Sequence, residues 1–267
     1  MSDSSIHELL KTKFGFENFR TGQEEIITQI AQGNSALAVF PTGSGKSLCY
    51  QLGGLLLDGL TIIISPLIAL MKDQVDFLQS KGIPAAKIDS TLSLEELNQV
   101  WNDIQSGKLK LLYTAPERFS NEKFLSRIKQ AKLSMMVIDE AHCMSEWGHN
   151  FRPDYLKLTE IISDLKIKQV LALTATATPK VAEDICRNFN ISPDAYVNTG
   201  YYRPNLTIKM TRCDHQAKQS LLLSRLQENP SGATIVYVTL QKEAEETAEF
   251  LQQNGFDAMA YHAGMKG

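Results

Sequence analysis

Continuous apolar runs punctuate the chain at Ala36–Phe40, Leu60–Ile64, Lys110–Tyr113, Ser134–Ile138 and Gln169–Leu173. They do not alternate with polar residues, which marks parallel strands covered on both faces. Between them stand stretches of helical period, Lys46–Leu57, Leu67–Gln79, Leu94–Gln105 and Pro179–Asn188. Strand followed by helix, repeated, builds βαβ units. The pattern therefore predicts an α/β fold with a doubly wound parallel sheet.

The pattern pauses between Asn198 and Pro204, where Thr199-Gly200-Tyr201-Tyr202-Arg203-Pro204-Asn205 reads as a linker. A second α/β series follows, with strands expected at Leu206–Met210, Ala233–Val238 and Phe256–Tyr261. Helices are expected over His215–Gln227 and Gln241–Gln253. The expected division is residues 1–203 and an incomplete α/β domain over residues 204–267. An unfinished sheet leaves an edge and an apolar face uncovered, so this tail is expected to be loosely folded or sticky.

A hydrophobic content of 43% over 267 residues supports real cores. The net charge of -3 shows no global basic footprint and counts mildly against wide electrostatic DNA binding, while a narrow cleft that grips a single strand stays open. The four cysteines, Cys49, Cys143, Cys186 and Cys213, form no C-x-x-C pair, so neither a zinc site nor a disulfide framework is expected. The N-terminus lacks a secretory pattern, and no apolar run is long enough to span a bilayer. The expectation is a cytoplasmic or nucleoid-associated protein without a membrane partner.

Two local motifs carry chemistry. The run Ala36–Phe40 leads into Pro41-Thr42-Gly43-Ser44-Gly45-Lys46-Ser47, with a helix after it. Glycines let backbone N–H groups turn toward phosphate oxygens, and the helix N-terminus adds its dipole. Thr42, Gly43, Ser44 and Gly45 would cradle the phosphates of ATP. Lys46 would place a charge at the β/γ-phosphates, and the Ser47 hydroxyl would ligate Mg²⁺. Phe40 stands where the strict motif has glycine. The second motif is Asp139-Glu140-Ala141-His142, at the end of the run Ser134–Ile138. Asp139 at a strand end can hold Mg²⁺, Glu140 can orient or deprotonate the attacking water, and His142 can relay to neighbouring loops. Acids also occur at strand ends as helix caps.

With both motifs in order, the chain resembles the RecQ helicases of superfamily two over essentially its whole length. The resemblance implies a first RecA-like motor domain over residues 1–203, then part of a second. It rests also on Phe14-Gly15-Phe16-Glu17-Asn18-Phe19-Arg20-Thr21-Gly22-Gln23. In that family this segment reads adenine. The carboxamide of Gln23 would pair with the base, Arg20 would bond or stack on it, and Phe16 would stack. Phe14 and Phe19 read as helix-packing core, and Phe16 fits either role. Segments Ser65–Gln74 and Thr114–Arg118 look like DNA-contacting motifs. Thr174-Ala175-Thr176-Ala177 resembles the motif that couples hydrolysis to domain movement, although the hydroxyls of Thr174 and Thr176 also fit a cap for the helix after Pro179.

The most family-specific stretch is Cys143-Met144-Ser145-Glu146-Trp147-Gly148-His149-Asn150-Phe151-Arg152-Pro153-Asp154-Tyr155. The resemblance makes it a sensor of single-stranded DNA. Trp147 and Phe151 offer faces to bases, and Arg152 offers charge and planarity. Arg203-Pro204-Asn205 and Tyr261-His262-Ala263-Gly264 also resemble the family. The implied activity is ATP-dependent 3′→5′ unwinding of single-stranded and forked DNA in repair and recombination, with ATP and Mg²⁺ as cofactors and protein partners undefined. RecQ helicases carry later motifs that these residues do not match, among them an arginine reaching the γ-phosphate. Such a group is worth about 10³ to 10⁵ in rate, or roughly 4 to 7 kcal/mol. The alternative is therefore a truncated nucleotide- and DNA-binding motor domain without helicase activity. A restriction-enzyme motor or an RNA helicase fits less well, because of His142 and the aromatic loop after it.

Overall fold

The computed structural model describes residues 3–147, 150–203, 205–228 and 232–265. Residues 1–203 and residues 204–267 make two compact units.

The first unit opens with α1 (Asp3–Leu9), a π-helical turn over Leu10–Phe14, α2 (Gln23–Ala31), β1 (Ala36–Val39) and α3 (Lys46–Leu56). It continues through β2 (Leu60–Ile64), α4 (Ile68–Ser80), β3 (Ala85–Ile88), α5 (Leu94–Gln105) and β4 (Leu111–Thr114). Then come α6 (Glu122–Ile128), β5 (Leu133–Ile138), α7 (Pro153–Leu156), α8 (Leu158–Asp164), β6 (Gln169–Thr174), α9 (Pro179–Asn188) and β7 (Tyr196–Asn198). The seven strands form one sheet in the order β3-β4-β2-β5-β6-β1-β7. Every pairing is parallel. Parallel neighbours need crossover connections rather than hairpins, and so all strand C-termini reach the same edge of the sheet. In open α/β sheets, ligands sit outside that edge.

The α/β fold expected from the apolar pattern is the fold observed. Strands β2 and β6 are buried at every position, as their unbroken apolar runs require. The two edge strands escaped the pattern. Strand β3 is buried only at its two ends, and β7 is three residues long. An edge strand has one neighbour and needs no continuous apolar run.

Local chemistry sets the helix starts. Ser93 and Glu96 form a reciprocal capping box at the start of α5. At α9 the cap is Thr178, whose Oγ1 accepts the Val181 N–H at 3.3 Å ahead of Pro179. Thr174 and Thr176 do not cap this helix. Helix α3 lies close on the sheet because of Gly54. A Cβ there would stand 2.8 Å from Leu111 Cδ2 and 3.0 Å from Thr61 Oγ1. That close approach seats the helix that begins with Lys46 directly over β2 and β4.

The second unit departs from expectation. Its two helices form, α10 (Lys218–Glu228) and α11 (Gln241–Gln253). The runs Leu206–Met210, Ala233–Val238 and Phe256–Tyr261 form no strand among the described residues. A strand's backbone groups need a neighbouring strand, and here Ile208, Met210, Tyr237 and Tyr261 stay exposed instead of packing on a sheet. No helix of the described residues is long and apolar enough to cross a membrane.

Candidate active site

The loop from Phe40 to Gly45 leaves the C-terminal end of β1 and enters α3 at Lys46. Gly45 has φ 82, and a Cβ there would meet Gln23 Nε2 at 2.7 Å. Gln23 is only 2% exposed beneath this loop. Its Nε2 donates to the carbonyls of Ser44 (3.1 Å) and Gly45 (3.0 Å), and its Oε1 accepts the Arg20 N–H at 2.8 Å. Arg20 Nη1 donates to the Gly43 carbonyl at 2.6 Å, and Arg203 Nη1 to the Thr42 carbonyl at 3.0 Å. The two residues expected to read adenine therefore also hold the phosphate loop. Phe16 is 49% exposed and not part of the core, whereas Phe14 is buried and Phe19 packs against the core.

Lys46 Nζ donates to the carbonyls of Phe40 (3.0 Å) and Pro41 (3.4 Å). Burial lowers its pKa, while Glu140 and Asp139 oppose that shift. The hydroxyl of Ser44 is buried with no hydrogen-bond partner among the described residues. Such a donor is costly to leave unmade. A phosphate oxygen satisfies it, so a nucleotide phosphate fits this loop.

The acidic motif extends β5. The Asp139 N–H donates to the Ile64 carbonyl at 2.9 Å, adding one rung beside β2. The Asp139 carboxylate accepts from the Glu140 N–H (3.0 Å) and the Ser65 hydroxyl (3.4 Å). Burial, and then the charge of Glu140, raise its pKa to about 6. Glu140 itself has φ 51, in the left-handed region that non-glycine residues rarely adopt. His142 Nδ1 lies 3.2 Å from Glu140 Oε2 and 2.9 Å from Thr174 Oγ1. Burial opposes a charge on His142, but bonding to Cys143 and Glu140 outweighs it and lifts the pKa to about 9. Two adjacent acids within electrostatic reach of each other and of Lys46 suit a divalent cation, which would relieve their repulsion and polarise the phosphates.

The aromatic loop is anchored on α9. Ser145 is buried, donates to Asp184 at 2.8 Å and accepts the Trp147 N–H at 3.3 Å. Trp147 is 64% exposed, and Lys180 Nζ sits 3.0 Å from its ring centroid. The sequence pattern gave no signal for Lys180 or Asp184, because both belong to a helix distant along the chain. Phe151 lies at the surface, and the Arg152 N–H donates to the Cys143 carbonyl at 2.8 Å. Gly148 and His149 of this loop, and Pro204 of the linker, lie outside the described residues. A cavity of about 470 Å³ opens between Trp147, Thr176, Pro179, Val181 and Tyr201. In the second unit, Tyr261 is exposed and His262 Nε2 lies 3.2 Å from Glu245.

The sequence profile of the DEAD/DEAH box helicases matches residues 20–185. The chain is 43% identical to the ATP-dependent DNA helicase RecQ of Bacillus subtilis over 259 residues, covering 96% of this chain and 44% of that protein. It is likewise 43% identical to the ATP-dependent DNA helicase RecQ of Haemophilus influenzae, covering 97% of this chain and 41% of that one. The chain thus spans less than half the length of these relatives. The DUF1998 helicase MrfA bound to DNA shares the fold with a TM-score of 0.68 at 19% identity, over 97% of this chain and 40% of that one. A hypothetical ATP-dependent RNA helicase from Sulfolobus tokodaii does so at 0.58 and 20%, over 95% and 72%.

Proposed function

The chain belongs to the DEAD/DEAH box helicase family, and from that premise we propose that it supplies the ATP-driven motor of a RecQ-type DNA helicase. In this reading the whole protein moves 3′→5′ along a single strand and unwinds forked DNA, in repair and recombination at the nucleoid. Residues 1–203 are the first RecA-like motor domain, and residues 204–267 are part of a second.

The observation that carries the reading is the phosphate loop itself, where Lys46 Nζ lies 3.0 Å from the Phe40 carbonyl and the buried Ser44 hydroxyl has no partner among the described residues, with Asp139 and Glu140 acting on the Lys46 charge. A cation among phosphate-facing amides, next to two carboxylates in different environments, is what phosphoryl transfer to water requires. Lys46 leaves its loop carbonyls for the β/γ-phosphates, and the Ser44 hydroxyl finds its partner there. Ser47 and Asp139 hold Mg²⁺. Glu140, whose side chain lies 3.2 Å from His142 Nδ1, orients the attacking water. Gln23, Arg20 and Phe16 recognise the adenine, which for Gln23 and Arg20 requires exchanging loop contacts for base contacts. His142 and Thr174 pass the state of the site to β6 and to Thr176. Trp147, Phe151 and Arg152 contact the single strand.

A second reading, a nucleotide- and DNA-binding unit with no helicase activity of its own, is favoured by the second unit, whose described residues form no strand. ATP hydrolysis by the purified chain, with and without single-stranded DNA, separates the two. Turnover stimulated by DNA and abolished by Lys46→Ala supports a working motor. Nucleotide binding with turnover at the level of Lys46→Ala supports the binding unit.

A further inference from the structure

Side chains hold four successive carbonyls of the phosphate loop. Those of Gly43, Ser44 and Gly45 accept from Arg20 and Gln23, at the start of α2 and the turn before it. The Thr42 carbonyl accepts from Arg203 Nη1 at 3.0 Å, a residue 161 positions along the chain. The fold brings Arg203 there in steps. Strand β7 pairs with β1, and the Thr199 N–H adds one more rung on the Val39 carbonyl at 3.2 Å. Gly200, with φ 83, turns the chain, and its N–H donates to Asn198 Oδ1 at 2.9 Å. The Tyr201 hydroxyl then donates to the Ala177 carbonyl, in the loop after β6. The start of the linker is thus laid beside the end of β1, and Arg203 meets the loop that leaves it.

The motor reading uses the loop amides, Lys46 and Ser47, and leaves Arg203 without a task. The backbone supplies one. No described peptide is cis. A planar trans peptide points its N–H opposite to its carbonyl, so whatever fixes one fixes the other. The guanidinium on the Thr42 carbonyl therefore sets the direction of the Gly43 N–H. The next amide is already engaged, because the Ser44 N–H closes a turn on the Pro41 carbonyl at 3.2 Å. Gly43 has φ 85, and a glycine leaves the peptide before it wide rotational freedom. An amide that must be ordered when its ligand arrives weakens binding, and one held beforehand does not.

We propose that Arg203 is a positioning residue for phosphate binding. Its hold on the Thr42 carbonyl keeps the Gly43 N–H toward the phosphate oxygens, so that it raises the affinity of the loop for phosphate and not the affinity for the base. The inference rests on the reading of residues 40–47 as a phosphate site. The base side belongs to Gln23 and Arg20, which hold other carbonyls of the same loop. Arginine suits the role because its guanidinium stays charged and donates from a rigid planar fork.

The test uses the full chain as wild type, Arg203→Ala and Arg203→Lys, with inorganic pyrophosphate and adenosine as separate probes. Each probe displaces a fluorescent ADP analogue, which gives its affinity. Arg203→Ala is expected to bind pyrophosphate about tenfold more weakly than wild type, the effect of one lost hydrogen bond from a charged donor. Adenosine is expected to bind it within about twofold of wild type. Arg203→Lys, which can still donate to the Thr42 carbonyl, is expected to recover pyrophosphate binding to within about threefold of wild type. The pyrophosphate defect of Arg203→Ala is expected to be the same at low and high salt, since a backbone carbonyl carries no net charge. A defect that grows at low salt would mean that the guanidinium pairs with phosphate directly, and overturns the positioning role. Equal losses for both probes, with a lower melting temperature, would mean that Arg203 only ties the linker down, and also overturn it. Unchanged pyrophosphate binding in Arg203→Ala overturns the proposal and leaves the phosphate site standing. A wild type that binds no pyrophosphate overturns the proposal and the phosphate-site reading together.

Discussion

His142 Nδ1 lies 2.9 Å from the hydroxyl of Thr174, and the carbonyl of the same threonine accepts the Phe40 N–H at 3.1 Å. One residue at the end of β6 thus touches both the acidic motif after β5 and the phosphate loop after β1. Thr174 is fully buried, and its hydroxyl also accepts the Thr176 N–H at 3.1 Å. Thr174→Val keeps the shape and deletes the hydroxyl. The expected cost is about 1–3 kcal/mol of stability from the unmade bonds, read by urea unfolding. DNA-stimulated turnover is expected to fall further than basal turnover, and an equal fall in both would remove the relay role from this residue.

Asp139 gives a prediction of opposite sign for stability. Its folded pKa of about 6 stands above the ordinary 3.8. The folded state therefore holds the proton more tightly than the unfolded chain. The ionised group costs nothing at low pH, and its cost grows as pH rises through about 6. Asp139→Asn is expected to stabilise the folded chain at pH above 7 by roughly 1–3 kcal/mol while abolishing ATP hydrolysis. Thermal melts across pH 4 to about 8 test it, and a variant less stable than wild type at neutral pH would refute the account.

His142 stabilises where ionised Asp139 costs, yet its stability too falls as pH rises, in a more alkaline window. Its folded pKa of about 9 lies above the ordinary 6.5, so its stabilisation is complete below about 6.5 and disappears as pH rises through about 9. His142→Gln should flatten the decline of melting temperature over that alkaline window. A parallel decline in both proteins would show that the Glu140–His142 contact has no energetic weight.

A side chain at Gly45 strains the phosphate loop. Alanine there meets Gln23 Nε2 at 2.7 Å with φ 82. Gly45→Ala is expected to lose about 1–2 kcal/mol to the left-handed backbone and to weaken ATP binding by displacing Gln23. Isothermal titration with ATP reads the second effect, and unaltered nucleotide affinity would mean that Gln23 does not set the loop.

Trp147 offers a direct optical probe, because the other tryptophan, Trp101, is buried. Trp147→Ala at this exposed site is expected to change stability by no more than about 0.5 kcal/mol. Oligo(dT) should quench wild-type fluorescence, and Lys180→Ala, which frees the indole face, should strengthen that quenching. No quenching in either protein would separate the aromatic loop from DNA.

Much of the fold was legible along the chain. The strand Leu60–Ile64 and the helices Leu94–Gln105, Pro179–Asn188 and Gln241–Gln253 stand where the period and caps put them. The phosphate loop and acidic motif were legible for the same reason, since a turn, a strand end and a helix start are set by neighbours a few residues away. What needed tertiary structure was everything that pairing decides. The order β5-β6-β1 brings Thr174 between Asp139 and Lys46, and the crossing of α2 beneath the phosphate loop occupies Gln23. The packing of α9 puts Lys180 on Trp147. The apolar runs of the second unit have the composition of strands and form none, because a strand's hydrogen bonds belong to its neighbour and no local pattern can supply them.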